Sequence, residues 1–307
     1  MTNRIPLLTG LLVVQLLLVG IVVIRDGGDR AASALLDFDE SAVTSLSIED
    51  GDGNTVTLER TDEGWRLGEV PADSNKINDV IESLTGGSVS WPVATSESSQ
   101  ARFEVTADAF QRRVNFGGIS GELAVLYIGS SPGFRRVHAR RDGADAVYSI
   151  DFGVHELPAD RSEWLNKQLF RTEGISRVVL PQGEVLMMDD QGVWTLDGRA
   201  TDAAVTGEYV DRIARLAVLG FADDAALDDL GDPQVLSVED EQGSHTLTFH
   251  FDEAEDQYVL TSDRMPGEYT VASYIVEQVL ISADELEEVE PSEEMSLEEE
   301  ALSTEGG

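Results

Sequence analysis

The chain has no cysteine. Disulfide cross-links, thiolate metal sites and cysteine nucleophiles are therefore closed to it. Lysine is almost missing: Lys76 and Lys167 stand beside nineteen arginines. Positive charge is scarce altogether, with 21 basic residues facing 59 acidic ones for a net charge of −38. Phosphate backbones are held by clustered Lys and Arg, so a general nucleic-acid binder is excluded. Broad adsorption to anionic lipid is disfavoured for the same reason. Only four histidines occur, His138, His155, His245 and His250. No G-x-S-x-G or S-x-x-K motif is present, which leaves a serine hydrolase without sequence support.

Charge is also absent from one long run. Ile5 to Ile24 holds twenty residues without an ionisable side chain, and a helix needs about 20 apolar residues to cross a hydrocarbon core of about 30 Å. A secretory leader has a shorter apolar core of about 7–15 residues, closely followed by a small-residue cleavage site. Here Arg25-Asp26-Gly27-Gly28 follows, and Ala31-Ala32-Ser33-Ala34 lies too far on. The run predicts a transmembrane anchor over 5–24, with residues 1–4 cytoplasmic. Arg4 on one side and Arg25 and Arg30 on the other nearly balance under the positive-inside rule. A short tail ahead of a long soluble body favours a cytoplasmic N-terminus. The expected location is the inner membrane, with the body in the periplasmic or extracytoplasmic space.

Part of the acidic excess lies at the other end. Asp284 to Glu305 contains eleven acidic residues and no basic one, yet removing them leaves −27. Such a body repels itself at low ionic strength and is screened near 1 M salt, where the Debye length is about 3 Å. Two readings stay open: adaptation to salt, or a GC-rich genome choosing Arg codons over an ordinary acidic surface.

Between these ends the chain reads mostly as strands, in an order that occurs twice. The first copy opens with the alternating Val43-Thr-Ser-Leu46-Ser-Ile48, turns at Glu49 to Asn54, returns as Thr55–Arg60 and reaches Trp65-Arg66-Leu67. A helix follows, capped by Asp73 or Ser74, with Ile77, Val80, Ile81 and Leu84 on one face and Gly86-Gly87 as its stop. The second copy opens at Ile175 to Leu180, turns at Pro181-Gln-Gly183 and reaches Val193-Trp194-Thr195-Leu196. Its helix is expected to be capped near Thr206, with Tyr209, Val210, Ile213 and Leu216 on its apolar side. Trp65 and Trp194 lie 129 apart, Val80 and Val210 130 apart. A near-constant offset over several landmarks is the mark of a tandem duplication. The expected fold is α+β: an N-terminal transmembrane helix, then two strand-rich repeats with one or two helices each. The expected segments are a linker at 25–36, repeats at 37–170 and 171–282, and an acidic disordered tail at 283–307. Glu163 to Phe170 is expected as a short helix closing the first repeat.

Candidate chemistry is sparse. Asp50-x-Asp52-x-Asn54 resembles the start of a calcium loop, but Thr55 and Thr61 stand where glycine and glutamate are needed, so a hairpin turn is the better reading. His245 and His250 are five apart, which in a strand sends them to opposite faces and speaks against a shared metal ion. Gly117-Gly118-Ile-Ser-Gly121 lacks the Lys-Ser/Thr of a phosphate loop and reads as a strand-to-strand turn. No catalytic, cofactor or metal residues emerge. One basic patch does, Arg135-Arg136-Val137-His138-Ala139-Arg140-Arg141. In a strand Arg136, His138 and Arg140 share a face, a candidate docking edge for an acidic partner or lipid headgroups. The bland alternative is a solvated face balanced by nearby carboxylates.

The anchor, Trp65-Arg66-Leu67, the capped helix after Pro71-Ala72-Asp73, the turn Leu230-Gly231-Asp232-Pro233, Tyr148-x-Ile150 and Glu163 to Phe170 together resemble the bacterial domain-of-unknown-function 4340 family. The resemblance implies a membrane-anchored extracytoplasmic protein, often associated with a gliding-motility-type ABC transport system, and carries no catalytic residues. The expectation is a non-enzymatic accessory subunit, without cofactor, that contacts an ABC-type permease or other envelope proteins. The alternative is an extracytoplasmic module that binds a small molecule or glycan in the cleft between the two copies.

Overall fold

The computed structural model describes residue 15 and residues 33–89, 91–222 and 226–287. These form two compact units. One combines the residues up to Thr57 with Asn75–Ala159, and the other combines Leu58–Ser74 with the residues from Asp160 onward.

The fold expected from the sequence is corrected. The described chain is strand-rich and mostly antiparallel sheet. No described helix is long and apolar enough to cross a membrane. The two longest, at Ser74–Thr85 and Ala203–Ala214, have 12 residues each, about 18 Å at 1.5 Å per residue against a core of about 30 Å. The run 5–24 that suggested a span lies outside the described residues.

In the first unit a short β1 (Ser33–Ala34) precedes β2 (Ser45–Asp50) and β3 (Thr55–Thr61), and β3 carries the chain into the second unit. There β3 turns into β4 (Gly64–Leu67) and β5 (Val70–Pro71), with Arg60 opposite Trp65 and Leu67 opposite Val70. Helix α1 (Ser74–Thr85) returns the chain and buries Ile77, Val80, Ile81 and Leu84, the face that the spacing predicts. Then come β6 (Ser88–Val89), which pairs with β1, α2 (Glu97–Arg102), and the small hairpin β7 (Val105–Thr106) and β8 (Ala109–Phe110). A meander closes the unit: β9 (Arg112–Gly118), β10 (Gly121–Ile128), β11 (Arg136–Arg141) and β12 (Tyr148–Asp151). Its hydrogen-bonded order is β12-β11-β10-β9-β2, antiparallel throughout. β10 is buried on both faces: Ala124, Leu126 and Ile128 point one way, while Val125 and Tyr127 join Val105 and Val147 in a small core with Ala94, Phe103 and Phe110.

The second unit repeats the chain order. β13 (Arg177–Val179), β14 (Val185–Met188), β15 (Trp194–Leu196) and β16 (Arg199–Ala200) lead to the counterpart of α1, α3 (Ala203–Ala214), then to β17 (Gly220–Phe221). The meander is β18 (Gln234–Asp240), β19 (Gly243–Asp252), β20 (Gln257–Ser262) and β21 (Tyr269–Ala272), followed by the short α4 (Ser273–Val276). As β2 pairs with β9, so β13 pairs with β18, and β17 joins the outer side of β21. Asp202 caps α3, its Oδ1 accepting from the amides of Ala204 at 2.9 Å and Val205 at 3.1 Å. The cap is thus four residues ahead of the expected Thr206, which is buried inside the helix. Asp competes well for this position because its carboxylate meets two orphan amides.

The helix expected over 163–170 is replaced by a 3-10 turn at Arg161–Trp164, a single bridge residue at Leu165 and a hydrogen-bonded turn over 167–170. Asp160 accepts from the Ser162 amide and Asn166 from the Gln168 amide, local bonds that compete with a helix. Leu165 and Phe170 enter the second unit's core with Val70, Tyr209, Ile213, Phe249 and Tyr269. The body also runs past 282. Leu286 is fully buried, and its carbonyl accepts from the Asp202 amide. Residues 288–307 lie outside the described residues.

Candidate partner-binding surface of the first unit

The connection from β10 to β11 is a short Gly-Ser-Ser-Pro-Gly-Phe-Arg stretch whose proline and glycines break the strand pattern. Phe134 sits in it with 92% of its surface exposed. Arg135 beside it adopts φ 51°, a left-handed conformation that costs a non-glycine residue energy. Ser131 braces the loop from below, its hydroxyl 2.7 Å from the Gly133 carbonyl and 2.6 Å from that of Arg136. An aromatic and an arginine are held outward on a braced turn.

The three candidate residues of β11 separate. Arg136 is exposed; it pairs with Asp151 at 3.2 Å and donates to the Ser149 carbonyl at 3.4 Å. His138 is buried: Phe103 stacks on its ring at 4.0 Å, and Nδ1 donates to the Ser130 carbonyl at 2.7 Å. Arg140 is buried as well. Its Nε donates to the Val105 carbonyl at 2.6 Å and Nη1 to the Ala144 carbonyl at 3.0 Å, and the guanidinium lies 5.1 Å from the Tyr127 ring centre. The docking edge expected of all three is therefore reduced to Arg136. The face they share is covered by the segment around Phe103 and Val105, which no local pattern in β11 reveals.

Arg136 also lines a cavity of about 540 Å³. Its walls come from the end of α1 (Ser83, Leu84), from Val89, Trp91 and Val93, and from β12 (Ser149, Ile150, Asp151). Trp91 is 65% exposed and Val93 49%. The volume falls within the usual range for small-ligand pockets, about 300–1,000 Å³. The Ser149 hydroxyl is shut off from solvent without a hydrogen-bond partner. Sequence reasoning missed Trp91 and Phe134. The available signal was a large aromatic inside a turn segment, Trp91 before Pro92 and Phe134 after Pro132-Gly133.

In the second unit the strongest polar cluster surrounds Asp240, whose side chain is fully buried. Arg264 grips it with two nitrogens, at 2.5 and 3.0 Å; the Gln242 amide donates at 2.8 Å, and the Thr172 hydroxyl also donates. The Arg264 bonds hold the carboxyl well below the usual carboxylate range. His245 lies 3.7 Å away, and its pKa is lowered by burial and then by the Arg264 charge. The cluster pins the turn from β18 to β19. A second concavity, about 400 Å³, lies along α3 between Glu208, Asp211, Arg212 and Arg215 and the Ile275–Val279 stretch. Its arginines are paired within the helix, Arg212 with Glu208 at 3.3 Å and Arg215 with Asp211 at 3.1 Å.

The remaining motifs are structural. Asp50 closes the hairpin turn by accepting from the amides of Asp52 and Asn54 and from the Asn54 side chain. Gly117 to Gly121 forms the turn from β9 to β10. His245 is on the buried face of β19 and His250 on the other. Among the described residues no group of His, Asp or Glu converges to hold a metal ion.

No curated protein and no solved structure is found to match this chain. One family model does, described as a domain of unknown function, over residues 66–234, from β4 to the first residue of β18. The match covers more than half of the chain, which therefore belongs to the DUF4340 family.

Proposed function

We propose that the protein is a non-enzymatic accessory subunit that works by docking against an ABC-type permease or another protein of the cell envelope, on the extracytoplasmic side. One observation supports the docking: Phe134 and Arg135 project from a braced turn, the arginine in a strained backbone conformation. Aromatic and arginine side chains carry much of the energy of protein interfaces, and strain at an exposed residue is kept where it serves a site. The choice of partner class follows the family resemblance.

The test is co-purification from mild detergent extracts of the source cells. Permease subunits should be retained by the wild-type chain, and Phe134→Ser with Arg135→Ser should weaken retention by about tenfold or more, as expected for a hot-spot pair. Absence of permease subunits from the wild-type eluate, or equal retention by the double variant, overturns the reading. A second reading, a small-ligand module, is favoured by the cavity beside Trp91.

A further inference from the structure

We propose that the cavity lined by Trp91, Arg136, Ser149 and Asp151 binds a neutral saccharide, one ring stacked on the indole and its hydroxyls bonded to the polar wall. The proposal rests on the ligand-binding reading and gives it a ligand class.

The lining decides the class by elimination. An apolar ligand would strip water from Ser83, Arg136 and Asp151 and return no hydrogen bonds, a desolvation penalty at each polar group. An anion would meet an arginine already neutralised by Asp151, in a chain of net charge −38. A sugar ring avoids both difficulties, because it is uncharged and carries both an apolar C–H face and a ring of hydroxyls.

Each part of that ligand has a counterpart. Trp91 offers a large exposed aromatic surface at the cavity, with Val93 beside it. Arg136 Nε and Asp151 Oδ1, a donor and an acceptor, lie 3.2 Å apart, a spacing suited to neighbouring hydroxyls. Their side chains are 50% and 89% exposed, so the pair is weak and opens readily to a ligand. Rotating the Ser149 hydroxyl into the cavity breaks no hydrogen bond, since it has none. The site lies wholly on first-unit residues.

The experiment titrates the full chain with chitotetraose, maltotetraose and cellotetraose by calorimetry, with tetramethylammonium as a cationic comparator. At least one tetrasaccharide should bind saturably. Trp91→Ala should weaken it by about tenfold or more, and Trp91→Phe should restore part of the loss. Unchanged melting temperatures in both variants keep the comparison one of binding. Ile119→Ser should leave sugar binding intact, because Ile119 is exposed in the β9–β10 turn and is not in the cavity wall. Saturable binding of tetramethylammonium alone overturns the saccharide class and leaves a ligand-binding module. No saturable binding of any probe overturns both, and so does sugar binding that Trp91→Ala leaves unchanged.

Discussion

Asp240 keeps its charge away from water by accepting hydrogen bonds from Arg264, Thr172 and the Gln242 amide. Breaking a buried pair from one side leaves the other charge uncompensated, at a cost of about 3–5 kcal/mol. Arg264 is partly exposed, which places Asp240→Asn at the lower end, about 3 kcal/mol in urea unfolding. The native carboxyl holds its charge to lower pH than an unfolded one, which protonates near pH 4. Its stabilisation is complete above about pH 4 and is lost as pH falls below that. His245 acts in the same direction from higher pH. Its native pKa is depressed, so the unfolded chain takes up a proton near pH 6.5 that the native chain refuses. Stability should therefore fall as pH drops through about 6.5, and His245→Gln should flatten that part of the profile while the loss below about pH 4 remains. An unchanged slope in the variant would assign the upper titration to another group.

At the scale of elements, one crossing decides what β11 can present. Phe103 and Glu104 run over the end of β10 so closely that a side chain on Gly129 would collide with both of their carbonyl oxygens. Glu104 adopts φ 59° to make the pass. Gly129→Ala should cost about 3 kcal/mol, the upper range for overpacking, and should admit solvent to His138 and Arg140, read as faster histidine modification. A variant as stable as the wild type would mean that the segment is not fixed there. The same crossing shows where sequence reading ends. Period-two alternation in β11 correctly puts Arg136, His138 and Arg140 on one side, but covering that side falls to residues about 35 earlier. The helix faces of α1 and α3 were legible because Ile77 to Leu84 and Tyr209 to Ile213 encode them locally. The stretch 163–170 was misread because capping bonds from Asp160 and Asn166 outweighed its helical look. Trp91 and Phe134 were passed over because their role lies in exposure, which only tertiary packing determines.

For the molecule as a whole, the net charge of −38 sets a dependence on salt. The Debye length falls from about 10 Å at 0.1 M to about 3 Å at 1 M, so self-repulsion should fade and the melting temperature should rise across that range. A flat profile would favour codon bias over salt adaptation as the source of the acidic surface. The membership of Leu58–Ser74 in the second unit has a consequence for synthesis. This segment leaves the ribosome about 200 residues before β21, a late strand of the second unit's own sheet. At about 5–20 residues per second the delay is about 10–40 s. For that interval Val70, destined for the second unit's core, has no finished core to enter, and a nascent chain must be shielded through a wait that a simple two-domain order would not impose.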